Sequence, residues 1–256
     1  MIWIYTLASV VVVSLVSLVG VLFLIANEGR LRRSLSFLVA LATGALFGDV
    51  LIHLLPEIFT RASDNVLTSS LSILGGLVIF FVLEKFLRWS HHHELDDCAC
   101  PSETHRVTAP VGSLVLISDG LHNLLDGVII GVSYLASPAI GLATTIAVIL
   151  HEIPQEIGDF AILIHSGFTK SRALLFNLLS ASLAIVGAIL TLAVGARVVG
   201  LTEFLLPLAA GGFLYLAGSD LVPELHKTTE LKKSLLQLLA FLLGITAMLL
   251  LLVLGR

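Results

Sequence analysis

Two long apolar stretches follow each other in the sequence, and each carries ionisable side chains in its middle. They lie at about 109–133 and 139–165, and each is long enough, at about 1.5 Å per residue, to cross a bilayer as a helix. At roughly 100° per residue, the polar side chains of each stretch fall on one side of its helix. The two stripes consist of Asp119, His122, Asn123 and Asp126 on the first helix, and of His151, Glu152, Gln155, Glu156 and Asp159 on the second.

Carboxylates are costly inside a bilayer, and this cost decides how the two stripes can be arranged. Insertion scales put one acidic residue at a helix centre at about +2.5 to +3.5 kcal/mol, so five carboxylates facing lipid would cost about 12 to 17 kcal/mol. The stripes must therefore face each other or a watery cavity. Neither stripe contains Lys or Arg, so a bound cation is the counter-charge that the pattern favours.

The composition of the whole chain is that of an integral membrane protein. Apolar residues make up 57% of the sequence and charged residues only 12%, against about 25% charged residues in soluble proteins. Apolar windows of about 20 residues predict eight spans, near 2–25, 34–57, 70–89, 109–133, 139–165, 171–194, 201–225 and 233–254. We expect an all-α membrane protein with a single polytopic transmembrane domain over 1–256. The charges form no basic patch, so we expect no nucleic-acid partner.

Basic residues sort unevenly between the two ends of the predicted spans. If the spans alternate in direction, 11 of the 14 Lys and Arg residues lie in the loops after the odd-numbered spans. By the positive-inside rule those loops are cytoplasmic, which places both termini outside. We expect a multi-pass protein of the plasma membrane, and the sequence leaves a homodimer open.

The second and seventh predicted spans end in similar sequences. The second ends in GDVLIHLLPE at 48–57, and the seventh ends in GSDLVPELH at 218–226. In both, a polar residue, two apolar residues, Pro and Glu follow in order, near opposite faces of the membrane. This predicts that spans one to three and six to eight are inverted repeats around the central helix pair.

The central pair contains residue types that bind metals at a spacing that suits a metal. His122 and Asp126 are four apart, so both can grip one ion from the same helix face, and Asn123 adds an oxygen donor beside them. HEIPQ at 151–155 shares its first two residues with the zinc-protease pattern H-E-x-x-H, but Gln155 replaces the second His. The alternative reading is an intramembrane zinc-dependent hydrolase, in which Glu152 or Glu156 would activate water.

The longest polar stretch lies at about 90–108 and reads SHHHELDDCACPSETHRVT. In the predicted topology it is a cytoplasmic loop. Its soft donors are His91, His92, His93, Cys98 and Cys100. We expect this tract to collect a metal that leaves the membrane, and a solvated linker is the alternative.

Two segments of the central pair resemble the signature of the ZIP family of divalent metal transporters. They read HNLLDG at 122–127 and HEIPQEIGDFAIL at 151–163. The likeness covers nearly the whole chain and is greatest to the branch with HEIPHE on the fifth helix. Gln155 departs from that branch, because it replaces an imidazole by a neutral amide and leaves open whether one or two ions bind.

The resemblance implies a binuclear metal centre midway across the membrane. Carried over by position, the ligands would be His122, Asp126, His151 and Glu152, with Asn123, Gln155 and Glu156 completing or bridging the two sites. Asp49 and His53 match positions that are thought to pass metal inward from the entrance of the pathway.

The sequence as a whole therefore predicts a transporter and not an enzyme. Imidazole together with carboxylate suits Zn²⁺, with Fe²⁺, Mn²⁺, Co²⁺ or Cd²⁺ as alternatives, and argues against the oxygen-only sites of Ca²⁺ and Mg²⁺. The metal is the transported substrate, and we expect no organic cofactor. We expect the ion to enter the cytoplasm by alternating access at a site between the fourth and fifth helices.

Overall fold

A computed structural model describes residues 1–20, 28–61, 65–96, 109–195, 197–198 and 200–254, and within these ranges the chain is helical, with no strand. Eight helical rods, named α1 to α8, follow in chain order. The rods are α1, Ile2–Val16 with a 3-10 turn at Ser17–Gly20; α2, Glu28–Gly48, Asp49–Leu54 and Leu55–Arg61; α3, Val66–Asp96; α4, Ala109–Ala136; α5, Pro138–His165; α6, Lys170–Ala181 and Leu183–Gly195; α7, Leu201–Leu216, Ala217–Leu221 and Val222–His226; and α8, Leu231–Leu254.

The all-α membrane architecture predicted from the sequence is confirmed. Seven of the rods are long and apolar enough to cross a membrane. The remaining rod, α5, has 28 residues and carries the second polar stripe. The helices extend beyond several of the predicted spans, and the largest difference is at the end of α3, which continues to Asp96 and takes in the first residues of the predicted 90–108 loop. Apolar windows detect only the part of a helix that lies in lipid, so they miss a helix that continues into water.

A tight turn sets α4 and α5 side by side. Ser137 has an extended backbone, and its hydroxyl oxygen accepts a hydrogen bond from the Ile140 backbone N–H at 3.2 Å. Pro138 follows at the first helical position, where its missing N–H costs nothing. The guanidinium of Arg61 donates to the carbonyl of Ala136 at 2.8 Å, so the end of α2 also caps the end of α4. The two polar stripes are therefore brought together by a single capped turn.

The helix pairs follow the pattern that an inverted repeat requires. α2 packs along α8, and α3 packs along α7. Exchanging spans one to three with spans six to eight converts the first pair into the second. The central pair behaves in the same way, since α4 packs along α6 and α5 packs along α1. Both sequences that motivated the repeat contain a π-helical segment, at Asp49–Leu54 in α2 and Ala217–Leu221 in α7.

Glycines let the paired helices touch backbone to backbone. A Cβ on Gly44 would lie 2.0 Å from the carbonyl oxygen of Phe241 in α8, and one on Gly211 would lie 2.0 Å from that of Ile73 in α3. Gly44 stands twelve residues before Pro56, and Gly211 stands twelve residues before Pro223. The two close crossings therefore occupy equivalent positions in the repeat.

The same close approach predicts a stability effect at the crossing of α4 and α6. A Cβ on Gly127 would lie 1.9 Å from the carbonyl oxygen of Ala184, so one backbone must move. We expect Gly127→Ala to destabilise the protein by about 1 to 3 kcal/mol, the usual cost of overpacking. Thermal unfolding in detergent, followed by circular dichroism, measures the change. Gly158→Ala is the matched control, since a Cβ there meets nothing within 4 Å. Equal midpoints for the two variants would contradict the close crossing.

Candidate metal centre

The structure brings the two polar stripes together at the interface of α4 and α5. Four side chains, His122 and Asp126 from α4 with His151 and Glu152 from α5, each place a ligand atom within 4.8 Å of the other three. We call these four residues the first cluster. Asp126, His151 and Glu152 are buried, and His122 is 16% exposed.

The donor atoms of the first cluster converge on one small volume. The Nε2 atoms of His122 and His151 lie 3.2 Å apart. His151 Nε2 lies 3.1 Å from Asp126 Oδ2 and 3.5 Å from Glu152 Oε1, and His122 Nε2 lies 3.5 Å from the same Glu152 oxygen. Two imidazole nitrogens and two carboxylate oxygens make up a donor set that suits a tetrahedral Zn²⁺ or a similar transition metal.

Hydrogen bonding at the rim of the first cluster leaves metal-binding lone pairs facing inward. His151 Nδ1 lies 3.3 Å from the carbonyl oxygen of Ala147, an acceptor, which favours the tautomer that carries its proton on Nδ1. The Nε2 lone pair of His151 then faces the cluster. Asp126 Oδ2 and Glu152 Oε1 are buried without a hydrogen-bond partner among the described residues. Buried carboxylate oxygens without donors call for a cation.

A second cluster adjoins the first and contains only oxygen donors. Asp119, Glu152 and Glu156 place carboxylate oxygens within 4.8 Å of one another, so Glu152 belongs to both clusters. The amide of Asn123 donates to Asp119 Oδ1 at 2.9 Å, and the amide of Gln155 donates to the same oxygen at 3.4 Å. Asn123 Oδ1 is buried and unpartnered among the described residues. Of the residues implied by the resemblance, Glu156 lies in this cluster, while Asn123 and Gln155 contact Asp119.

Asp119 is a site residue that the implied ligand set omitted, although it stands in the stripe of α4. It lies one turn before His122 and Asn123 on the same helix face. Two further residues come from α6 and had not been predicted at all. The amide of Asn177 donates to Glu156 Oε2 at 2.6 Å, and the hydroxyl of Ser180 donates to Asp119 Oδ2. One signal was available, since an amide and a hydroxyl three residues apart share a face of an apolar helix.

A cavity of about 360 Å³ lies beside the clusters, between α3, α4, α5 and α7. The polar residues that line it are Glu84, Ser118, Asp119, His122, Gln155, Asp159, Tyr215 and Asp220. It lies on the C-terminal side of His151 along α5 and runs along the last turns of α7. Basic residues lie at this end, at the connections that follow α5 and α7: Lys170 and Arg172 after α5, and Lys227, Lys232 and Lys233 after α7. The clusters are therefore reached from the side of the basic loops.

Asp49 and His53 lie on the other side of the clusters and do not join them. Both are buried in the π-helical segment of α2, with His53 Nδ1 3.6 Å from Asp49 Oδ1. The hydroxyl of Thr144 in α5 donates to Asp49 Oδ2 at 2.9 Å. Thr144 precedes His151 by two helical turns, or about 10 Å. Phe213 of α7 is fully buried, with its ring centroid 6.2 Å from that of His151.

The predicted loop site lies outside what the structure describes. Cys98 and Cys100 fall in the undescribed range 97–108. The backbone of His91, His92 and His93 lies in the helix Val66–Asp96, but the placement of their side chains is outside the described residues.

Comparison with known proteins identifies relatives over nearly the whole chain. The family described as ZIP Zinc transporter matches residues 1–114 and 101–252. "Zinc transporter YKE4" of Saccharomyces cerevisiae is 31% identical over 274 residues, covering 94% of this chain and 78% of the yeast protein. "Zinc transporter SLC39A7" of Rattus norvegicus is 30% identical over 336 residues, covering 97% of this chain and 72% of the rat protein. "Zinc transporter zipt-7.1" of Caenorhabditis briggsae is 27% identical, covering 96% of this chain and 78% of the nematode protein.

Proposed function

Because this chain belongs to the ZIP family of zinc transporters, we propose that it carries Zn²⁺ into the cytoplasm through a site between α4 and α5. The observation that supports this site is the first cluster: four donors from two facing helices lie within 4.8 Å of one another. In this proposal His122, Asp126, His151 and Glu152 bind the ion as it passes.

Membership of the family makes the chain a transmembrane transporter of divalent metal and not an enzyme. The alternative of an intramembrane zinc hydrolase has no support from these relatives. The site also differs from what hydrolysis requires, since a catalytic zinc site uses three protein ligands and one open position. Here two adjoining clusters hold six potential ligands, and a further polar pair, Asp49 and His53, lies beyond them in α2.

Zinc is the metal that the donor set favours, with Fe²⁺, Mn²⁺, Co²⁺ and Cd²⁺ as competitors for the same site. Two imidazoles distinguish the first cluster from the oxygen-only sites that Ca²⁺ and Mg²⁺ prefer. The second cluster provides harder oxygen donors, with Glu156 and Asp119 supplementing the shared Glu152. Asn123 and Gln155 act beside it through Asp119, and Asn123 Oδ1 remains as a further donor.

The proposed mechanism is alternating access between two sides of the membrane. The cavity gives the clusters a route toward the side of the basic loops. On the other side Asp49 and His53 lie in a buried environment, where they would receive the ion first and pass it about 10 Å inward to His151. In this mechanism α2 and α5 separate to open a path to them from outside, which breaks the hydrogen bond from Thr144 to Asp49 across that interface. Reorientation of helices around a fixed central site achieves this.

Direction, topology and assembly belong to the same proposal. The positive-inside rule supports cytoplasmic basic loops, and therefore both termini outside and release through the cavity into the cytoplasm. A plasma-membrane location, a homodimer, and metal collection by His91, His92, His93, Cys98 and Cys100 stay predictions of the sequence.

Uptake by purified protein in liposomes tests the proposed function. We expect radioactive zinc to enter the vesicles at a rate that saturates with zinc concentration. Cd²⁺, Fe²⁺, Mn²⁺ or Co²⁺ should compete for uptake, and Ca²⁺ or Mg²⁺ should not, because they lack affinity for imidazole. Uptake no faster than in protein-free vesicles would refute the proposal.

Gln155 is the residue at which a change of metal preference should be easiest to produce. Its amide lines the cavity and donates only a long hydrogen bond to Asp119, so a His in its place can turn a nitrogen toward the clusters. We expect Gln155→His to raise the affinity for Zn²⁺ relative to Mn²⁺ by about tenfold, because imidazole is a softer donor than an amide oxygen. Competition between the two metals for binding measures this ratio. Gln237→His in α8 is the control, and an equal ratio in both variants would show that residue 155 does not approach the ion.

A further inference from the structure

We propose that α6 is part of the metal site, because Asn177 acts as a positioning residue that holds Glu156 in the orientation that binds the ion. Ser180 plays the same part for Asp119. The inference rests on the proposed function and extends it to a third helix. Neither residue touches the first cluster, so both act through the carboxylates of the second.

Asn177 grips Glu156 at two points. Its Nδ2 donates to the Glu156 carboxylate oxygen Oε2 at 2.6 Å and to the Glu156 backbone carbonyl at 3.3 Å. Both residues are fully buried. A donor that binds the backbone and the carboxylate of one residue fixes the side-chain torsions between them. Glu156 can therefore not swing freely between alternative rotamers while Asn177 is in place.

The grip of Asn177 leaves one carboxylate oxygen of Glu156 free for a metal. Oε2 is occupied by the amide, whereas Oε1 is buried without a hydrogen-bond partner among the described residues. Glu156 lies in the same cluster as Glu152 and Asp119. A bare buried carboxylate oxygen is unfavourable alone, so the arrangement suits a bound cation. The neutral amide of Asn177 fixes the carboxylate without supplying a competing positive charge.

Ser180 repeats this arrangement one helical turn later on α6. Its hydroxyl donates to Asp119 Oδ2 and also lies within hydrogen-bond distance of the carbonyl oxygens of Phe176 and Asn177. The single hydroxyl proton favours the carboxylate, because hydrogen bonds to charged acceptors are the stronger ones. Asn177 and Ser180 are three residues apart and share one helix face. A pair of positioning residues therefore holds two of the three carboxylates from one side.

Groups that orient metal ligands typically change metal affinity by about 10- to 100-fold when they are removed. We therefore expect Asn177→Leu, which has a similar volume and is tolerated by an apolar helix, to weaken zinc binding by about tenfold or more. Transport should show the same change as a higher KM, with the maximal rate much less affected. Asn177→Ser is measured in parallel. Its smaller side chain packs without a clash, so this variant provides the test if the Asn177→Leu protein does not fold.

A double-mutant cycle separates positioning from general support of the fold. If Asn177 acts through Glu156, Asn177→Leu should weaken zinc binding strongly in the native chain and by less than about twofold when Glu156 is already Gln. A structural role would give equal effects in both backgrounds. Binding is measured directly by titration calorimetry with zinc alone, since the first cluster is intact in every variant.

For the second contact, Ser180→Ala is compared with Ser182→Ala. The Ser182 hydroxyl donates to the carbonyl of Leu179, and the structure shows no hydrogen bond from it to either cluster. We expect only Ser180→Ala to weaken zinc binding. Two results would overturn the inference while the native chain still binds and transports zinc. One is a zinc affinity that changes by less than about twofold in Asn177→Leu and Asn177→Ser, and the other is an effect of Asn177→Leu that is undiminished in the Glu156→Gln background. Failure of the native chain itself to bind or transport zinc would instead refute the proposed function.

Discussion

Replacing His151 by Ala is expected to lower zinc transport by at least about 100-fold while the protein stays folded in the membrane. His151 lies closer to the other members of the first cluster than His122 does, with Nε2 at 3.1 to 3.5 Å from His122, Asp126 and Glu152. Its removal takes away one of two imidazoles and the donor nearest to the carboxylates. An Ala in a membrane helix is well tolerated, so loss of the ligand should not entail loss of the fold.

Uptake of radioactive zinc, normalised to the amount of folded protein in the membrane, measures the effect of His151→Ala. His165→Ala is the matched control, because His165 stands on the same helix, is exposed, and contacts the carbonyl of Ala161. Transport by His151→Ala at the rate of the His165→Ala control would show that the ion does not pass through the first cluster.

Glu152→Gln should abolish transport more completely than any other single carboxylate substitution. Glu152 is the one described residue that both clusters share. The amide has nearly the same shape as the carboxylate, but it is neutral and presents two N–H donors in place of an acceptor. Both clusters therefore lose a charge at once. Glu156→Gln removes a charge from the second cluster only, and we expect it to retain measurable transport.

The order of these effects is measured by transport and by zinc binding to purified protein. We expect Glu152→Gln to lose binding, Glu156→Gln to bind more weakly than the native chain, and Glu203→Gln, at the exposed start of α7, to bind normally. Equal losses in Glu152→Gln and Glu156→Gln would contradict the sharing of Glu152 between the two clusters.

The central helix pair could be predicted from the sequence because its signal is local. Polar residues recur at the helical period inside apolar runs, and the Ser-Pro step at 137–138 marks the turn between them. Hydropathy then requires the two stripes to be sheltered from lipid, and neighbouring helices joined by one turn provide the nearest shelter. These steps need no knowledge of the other six helices.

What the sequence did not indicate depends on contacts between distant helices. Asn177 and Ser180 share one face of an apolar helix, but a single pair three residues apart is too short a pattern to distinguish them from the polar residues that such helices tolerate. Their partners, Glu156 and Asp119, become apparent only when α6 crosses α4 at the Gly127 contact. The sequence placed the end of α3 too early for a different reason. Hydropathy indicates which residues lie in lipid, whereas a helix can continue beyond the lipid into water.

The repeat lies between these two cases. The recurrence of Pro and Glu at the ends of α2 and α7 could be recognised in the sequence, and the helix pairing agrees with it. The π-helical segments at the same positions could not be predicted, because no residue type specifies the change in backbone hydrogen bonding that forms them. Each of them places a buried or partly buried polar group, His53 in one and Asp220 in the other, on the helix beside the central pair.

The cavity beside the clusters also shapes the electric field across the protein. Water entering this cavity would bring the potential of that side close to His122, so in the proposed mechanism the voltage would fall mainly across the half around Asp49 and Thr144. Two elementary charges moved through the whole voltage correspond to about 4.6 kcal/mol per 100 mV, so a divalent cation that crosses this half would take up most of that energy. In the proposed mechanism, membrane voltage would therefore act on the passage of the ion from Asp49 to the clusters and leave its release through the cavity almost unaffected.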